Sequence, residues 1–125
     1  MIQKVNLADS FGRFRDHWSP KVAGEINDCA IKLVKVQGEF VWHHHEHEDE
    51  MFLVVKGTLI MKLRDGDLVL KPGEFVIIPR GIEHCPVSEE ETHILLVEPR
   101  TTLNTGNVRN ERTVEQLERL DNDEP

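Results

Sequence analysis

Trp42-His43-His44-His45-Glu46-His47-Glu48-Asp49-Glu50 runs without a break into the apolar stretch Met51-Phe52-Leu53-Val54-Val55, which stops at Gly57. Four of the chain's seven histidines and four carboxylates fall in the first segment. Such a cluster is either a metal site or a solvated acidic loop, and the strand after it separates the two. Side chains alternate across extended backbone, so His43, His45 and His47 share one face while His44 points the other way. Glu50 opens the next strand after a tight acidic corner, and a hairpin-like return brings it beside the His43/His45 face. Three groups from two adjacent strands can thus converge on one point.

Outward from this segment the chain reads as short β-type runs: Lys21–Ile26, Ala30–Val36, Phe40–His43, Glu50–Lys56, Leu59–Arg64, Asp67–Leu70, Phe75–Ile78, His84–Ser88 and Thr92–Val97. The breakers are turn formers. Asn27-Asp28 and Asp65-Gly66 fit two-residue hairpin loops. Lys71-Pro72-Gly73 and Pro79-Arg80-Gly81 join a fixed φ to a permissive glycine, and Glu89-Glu90 is a weaker hairpin tip. Strand after strand with no helix between predicts an all-β sandwich or barrel. Met51–Val55, Val76–Ile78 and Ile94–Val97 are apolar on both faces, whereas a sheet with one wet face would alternate. Something must cover the outer face, and the expectation is a homodimer; the alternative is cover by the chain's own N-terminal arm or C-terminal helix.

The flanks differ from the middle. Residues 1–20 read as an arm or short helix ending in Trp18-Ser19-Pro20, residues 21–100 as the barrel, and residues 101–125 as a polar loop, a short helix and a tail. Thr113-Val114-Glu115-Gln116 has the form of a capping box, with Val114, Leu117 and Leu120 as a narrow apolar stripe, and Asp121–Pro125 is expected to fray.

Composition bounds the partners. The chain has 125 residues, one ordinary domain, and a formal charge of −8. That charge repels phosphate backbones and anionic lipid, so neither nucleic acid nor a membrane is an expected partner. The N-terminus has no apolar signal-like core, and no run approaches the roughly 20 residues of a membrane span. Cys29 and Cys85 suit a reducing cytoplasm better than a disulfide framework. These features lead to an expectation of a cytoplasmic protein.

A fourth histidine lies far along the chain. Gly73-Glu74-Phe75-Val76-Ile77-Ile78-Pro79-Arg80-Gly81-Ile82-Glu83-His84 gives a strand, a tight turn, and a histidine opening the next strand. With both segments in view, the chain resembles a single-domain cupin. The first cupin motif is matched by His43-x-His45, Glu50, six intervening residues and Gly57; the second by Gly73, Pro79-x-Gly81 and His84. Two departures stand: four residues intervene between Gly38 and His43 where the motif has five, and Ser88 occupies the position of the motif's last asparagine.

The resemblance implies a double-stranded β-helix, or jelly-roll barrel, and a metal held by His43, His45, Glu50 and His84. Imidazoles with one carboxylate suit one divalent transition ion per chain, Mn, Fe, Co, Ni or Zn. Four protein ligands leave an octahedral ion two open positions. His44 and His47 read as rim residues, His93 as structural, and Cys85, pointing away from its neighbour His84, as neither ligand nor nucleophile. The alternation places Val41, Phe52, Val54, Met61 and Val76 around the metal, an apolar lining that favours a planar or weakly polar small molecule over a free sugar.

Fold and metal set do not fix a reaction. The expectation is a small metalloenzyme, dioxygenase- or isomerase-like. The alternatives are a non-catalytic ligand-binding or sensing module, and a structural barrel with a vestigial site. No catalytic acid or base is identifiable in the sequence.

Overall fold

The computed structural model describes residues 2–121. Helix α1 spans Leu7–Phe11, and eight strands follow: β1 Lys21–Ile26, β2 Cys29–Glu39, β3 Glu50–Lys56, β4 Leu59–Leu63, β5 Gly66–Leu70, β6 Phe75–Ile78, β7 His84–Pro99 and β8 Glu118–Arg119. The fold is the expected all-β barrel. The strands form one sheet in the order β5-β4-β7-β2-β1-β8, with β3 joining β7 to β6. Every pairing is antiparallel except β1 with β8.

β7, at sixteen residues, is the seam of the barrel. Its start pairs with β4, its whole second half pairs with β2, and residues 93–97 also pair with β3. The expected break at Glu89-Glu90 is absent. Gly38 pairs with Ser88 and Val36 with Thr92, so Gln37 alone opposes Glu89, Glu90 and Glu91, and the acidic residues form a bulge in a continuous strand. The Ser88 and Thr92 hydroxyls meet at 2.6 Å and gather at the Thr58 carbonyl, which closes the bulge from within. Gly57 has φ +92, and a Cβ there would lie 2.5 Å from Thr92 Oγ1, so this turn admits no side chain.

Three further expectations are corrected. Phe40–His43 is not a strand: β2 ends at Glu39, and the segment meets β7 at one bond from Phe40 N to the Pro86 carbonyl and at an isolated bridge between His43 and His84. The next backbone N–H, that of His44, is claimed elsewhere, by Asn107 Oδ1, so no ladder propagates. The β4–β5 loop is Arg64-Asp65, one residue earlier than read, because Gly66 pairs with Leu63.

The C-terminal helix does not form. The Thr113 hydroxyl meets Thr105 Oγ1 and accepts from Asn110 N, Val114 N donates to Asn104 Oδ1, and Leu120 N donates to the Val22 carbonyl. Side-chain and sheet partners thus take the groups a first helical turn would use, and residues 118–119 add to β1 as β8. Of the expected frayed tail, residues 122–125 lie outside those described. The helix is instead α1, capped by Asn6 Oδ1 on Asp9 N at 2.9 Å.

Two apolar clusters follow. The inner one joins Trp18, Val34, Phe52, Val54, Met61, Ile94 and Leu96 inside the barrel. The outer one packs Phe11 and Phe14 of the arm on Ala23 and Leu33, flanked by Val55 and Leu95. Burying one such aromatic contributes about 2 kcal/mol. The arm therefore covers part of the outer face. It does not reach β6, where Phe75 and Ile77 stay 61% and 55% exposed. Among the described residues no helix is long and apolar enough to cross a membrane.

Candidate metal centre

His43, His45, Glu50 and His84 are all buried, and one donor atom from each lies within 4.8 Å of the others. No other such group of three or more His, Cys, Asp or Glu occurs among the described residues. Each member is placed by backbone. His84 is the first residue of β7 and Glu50 the first of β3. His43 and His84 exchange backbone hydrogen bonds at 3.1 and 2.9 Å. The His45 carbonyl accepts from Gly81 N, and the His44 carbonyl from Asn107 N. The non-ladder segment is thus sewn between the Pro79–Gly81 turn and the C-terminal strap. Gly106 makes the close approach tolerable: its φ is +58, and a Cβ would stand 2.2 Å from the His44 carbonyl.

The histidine tautomers are set from outside the cluster. His43 Nδ1 donates to the Val41 carbonyl at 2.8 Å, and His84 Nδ1 to the Ile82 carbonyl at 2.9 Å. Their Nε2 lone pairs are left facing inward, the arrangement metal-binding imidazoles use. His45 Nε2 is buried with no hydrogen-bond partner. A buried orphan nitrogen 3.2 Å from Glu50 Oε1, which itself lies 3.1 Å from His84 Nε2, fits a cation between them. Burial, then the neighbouring His84, lowers the His43 pKa to about 4, so this imidazole is neutral at neutral pH. Burial works against the Glu50 charge, yet the neighbouring Glu98, His45 and His84 hold its carboxyl well below the usual range. Three imidazoles and one carboxylate suit a divalent ion.

The rest of the acidic corner is rim. His44 Nε2 meets Glu46 Oε1 at 2.8 Å, Asp49 Oδ1 accepts from Arg80 N at 2.9 Å, Thr101 Oγ1 donates to Glu48, and His47 is exposed. His93 stacks on Phe11 at 4.6 Å, a structural role. Cys85 is buried beside Glu39, and burial first, then the Glu39 charge, pushes its thiol up to about 11, so it is no nucleophile.

A cavity of about 40 Å³ adjoins the cluster, reached by His43 and Glu50 and walled by Trp18, Phe40, Phe52 and Leu96. Its lining corrects the expected one. Of Val41, Phe52, Val54, Met61 and Val76, only Phe52 borders it; Val54 and Met61 are packed into the core. The wall comes instead from the arm and from β2 and β7. Trp18 stacks on Phe40 at 4.7 Å and donates Nε1–H to the Gln37 carbonyl.

Glu98 also borders the cavity and was not singled out in the sequence, nor was its buried partner Lys32, whose Nζ lies 2.6 Å from Glu98 Oε2. The Glu98 carboxyl faces that of Glu50. Burial and the Glu50 charge push Glu98 well above the usual range, against the pull of Lys32, so Glu98 carries the proton of this pair. The signal was one charged residue at an inward position of an apolar run: Lys32 among Ala30, Val34 and Val36, and Glu98 after Ile94 and Leu96.

Residues 31–98 match the cupin domain, more than half of the chain, and the chain belongs to that family. It resembles the solved structure of a cupin-2 domain containing protein from Shewanella frigidimarina NCIMB 400, with 50% identity and a TM-score of 0.76 over 77% of this chain and 94% of that one. It is 39% identical over 75 residues to YdbB of Bacillus subtilis (strain 168), covering 59% of this chain and 66% of that protein. It is 26% identical over 81 residues to 3-hydroxyanthranilate 3,4-dioxygenase of Ruegeria pomeroyi, covering 61% of this chain and 45% of the enzyme. The matched region thus spans less than two thirds of either of these two relatives.

Proposed function

We propose that the protein is a mononuclear metallocupin that binds one divalent transition ion, Mn, Fe, Co, Ni or Zn, through His43, His45, Glu50 and His84 and acts on a small organic molecule. The observation that carries this is the buried donor set with its orphaned His45 Nε2, placed beside an apolar cavity. A divalent ion there would supply Lewis acidity toward a carbonyl, enol or phenol oxygen, which serves oxidative cleavage or isomerisation. The chain's own residues do the rest. Phe52, Phe40 and Trp18 offer flat apolar surface to a planar ligand, and Nδ1 bonds fix the imidazoles of His43 and His84. Similarity to 3-hydroxyanthranilate 3,4-dioxygenase supports a single-ring aromatic substrate and a dioxygenase-type reaction ahead of sugar isomerisation.

The cavity is small beside the roughly 300–1,000 Å³ of ordinary ligand pockets. A ligand of one ring enters only if the Trp18–Phe40 wall shifts, and a flavonol does not fit. Because no catalytic acid or base is identifiable beside the cluster, the second reading is a ligand-binding or sensing module without turnover. The exposed β6 face is covered, in this reading, by a second copy of the chain.

The test is elemental analysis of untagged protein, then a screen of single-ring dihydroxy- and aminohydroxy-aromatics with the bound metal. About one ion per chain and turnover or a spectral change are expected. Failure to take up metal after reconstitution rejects the site, and ligand binding without turnover selects the module.

A further inference from the structure

Three charged side chains stand on the inward face of the barrel, where their neighbours along each strand are apolar. β2 turns Ala30, Lys32, Val34 and Val36 inward, β7 turns Ile94, Leu96 and Glu98, and β3 turns Glu50, Phe52 and Val54. The register puts them together. Met51 pairs with Val97 and Ala30 with Glu98, so Glu98 stands between Glu50 on one side and β2 on the other. Lys32, Glu50 and Glu98 are all buried.

Stability does not account for this arrangement. Two carboxyl groups facing each other on adjacent strands repel unless one keeps its proton. A buried polar contact such as Lys32–Glu98 is commonly replaceable by apolar residues at no loss. The atoms suggest another use. Glu50 turns Oε1 toward His45 and His84, at 3.2 and 3.1 Å, which leaves Oε2. Glu98 gives Oε2 to Lys32 at 2.6 Å, and its Oε1 is buried without a donor. Lys32 is itself fixed by a further bond to the Thr102 carbonyl at 3.4 Å. A carboxylate that ligates a metal through one oxygen keeps its orientation only if the other oxygen is held.

We propose that Glu98, anchored by Lys32, is a positioning residue that holds Oε2 of Glu50 and so aims Oε1 at the three imidazoles. This rests on the metal-binding reading of the cluster. Lys32 sets the rotamer of Glu98, Glu98 sets that of Glu50, and neither touches the metal.

Cobalt(II) titration of the full chain tests it, read by visible absorption and by affinity. Three proteins are compared: wild type, Lys32→Met/Glu98→Leu, and Glu98→Gln. The double variant removes both partners together, so neither buried polar group is left without the other. It should melt near the wild-type temperature yet bind cobalt about 10–100-fold more weakly, with a shifted spectrum. Glu98→Gln should keep wild-type affinity and spectrum, because its amide oxygen still accepts from Lys32 and its N–H still reaches Glu50. Wild-type affinity and spectrum in the double variant overturn the proposal, as does an equal loss in Glu98→Gln. Wild type that takes no cobalt rejects the metal site itself, a different failure. Should the double variant not fold, a crystal structure of cobalt-loaded wild type decides. Glu98 within hydrogen-bond distance of Glu50 Oε2 supports the proposal; Glu98 turned away, or Glu50 chelating through both oxygens, overturns it.

Discussion

On the inner face of β3 and β7, Glu50 and Glu98 sit at 4% and 2% exposure among Phe52, Val54, Ile94 and Leu96. On the outer face of the same sheet, Phe75 and Ile77 of β6 stand open beside half-buried Met51 and Leu53, to which they are paired. The two faces thus break the usual burial preference in opposite directions. Buried charge and exposed aromatics are both unfavourable in a lone chain, and each makes sense with a partner. Inside, the charges gather round a donor cluster that suits a cation. Outside, the apolar row ends where the arm's Phe11 and Phe14 stop, and what it lacks is more apolar surface. One sheet therefore separates a polar demand from an apolar one, and each can be attacked without touching the other.

The largest effect should come from the inner face. His84→Ala removes one of four donors and should weaken metal binding by about 10²–10³-fold, a share of the roughly 10–16 kcal/mol typical of four-ligand zinc sites. Competition with a chromophoric chelator measures it. Unchanged affinity would mean that the cluster is not the site.

Acid should act next, and on the metal-free chain. His43 titrates near 4 when folded and near 6.5 when unfolded. Its contribution is fully present above pH 6.5 and is lost as pH falls toward 4, because the unfolded chain takes up a proton the folded one refuses. The loss approaches roughly 3 kcal/mol. Urea melts between pH 7 and 4.5 should show it, and His43→Gln should flatten the curve. An equal acid loss in both proteins assigns the effect elsewhere.

Gly106→Ala lies between the faces in size. A side chain at φ +58, pressed on the His44 carbonyl, should cost about 2 kcal/mol and loosen the His43–His45 segment. A lower melting temperature with weaker metal binding is expected; lower stability alone would uncouple the strap from the site.

The outer face should give the smallest change in the fold. Ile77→Lys should alter chain stability by no more than about 1 kcal/mol. It should nonetheless turn a dimer into a monomer by light scattering at micromolar concentration. Wild-type protein that is already monomeric removes the proposed second copy.

Much of the inner face was readable in advance. Alternation selects His43 and His45 over His44, and the structure buries the first two and leaves His44 at the rim. Turn residues bound β3 and β6 where expected, because a proline or glycine acts through its own φ. The misreadings share another cause. Thr113–Gln116 has helix-start chemistry, but Asn104 and Asn110 take its hydrogen bonds from elsewhere in the chain. Glu89–Glu91 look like a hairpin tip, yet the hydroxyls of Ser88 and Thr92, tied to Thr58, carry β7 past them. Trp18 was read as the end of an arm, although folding stacks it on Phe40 and makes it a cavity wall.

By itself the sequence determined the period of the strands, the glycine and proline turns, and which histidines share a face with Glu50. Those properties depend on backbone sterics and on residues close together in the chain. Only the tertiary structure decided that β7 joins both halves of the barrel, that Trp18 walls the cavity, and that Lys32 and Glu98 stand behind Glu50. These depend on register between strands about forty to seventy residues apart, where burial and cross-strand pairing, not local pattern, choose the neighbours.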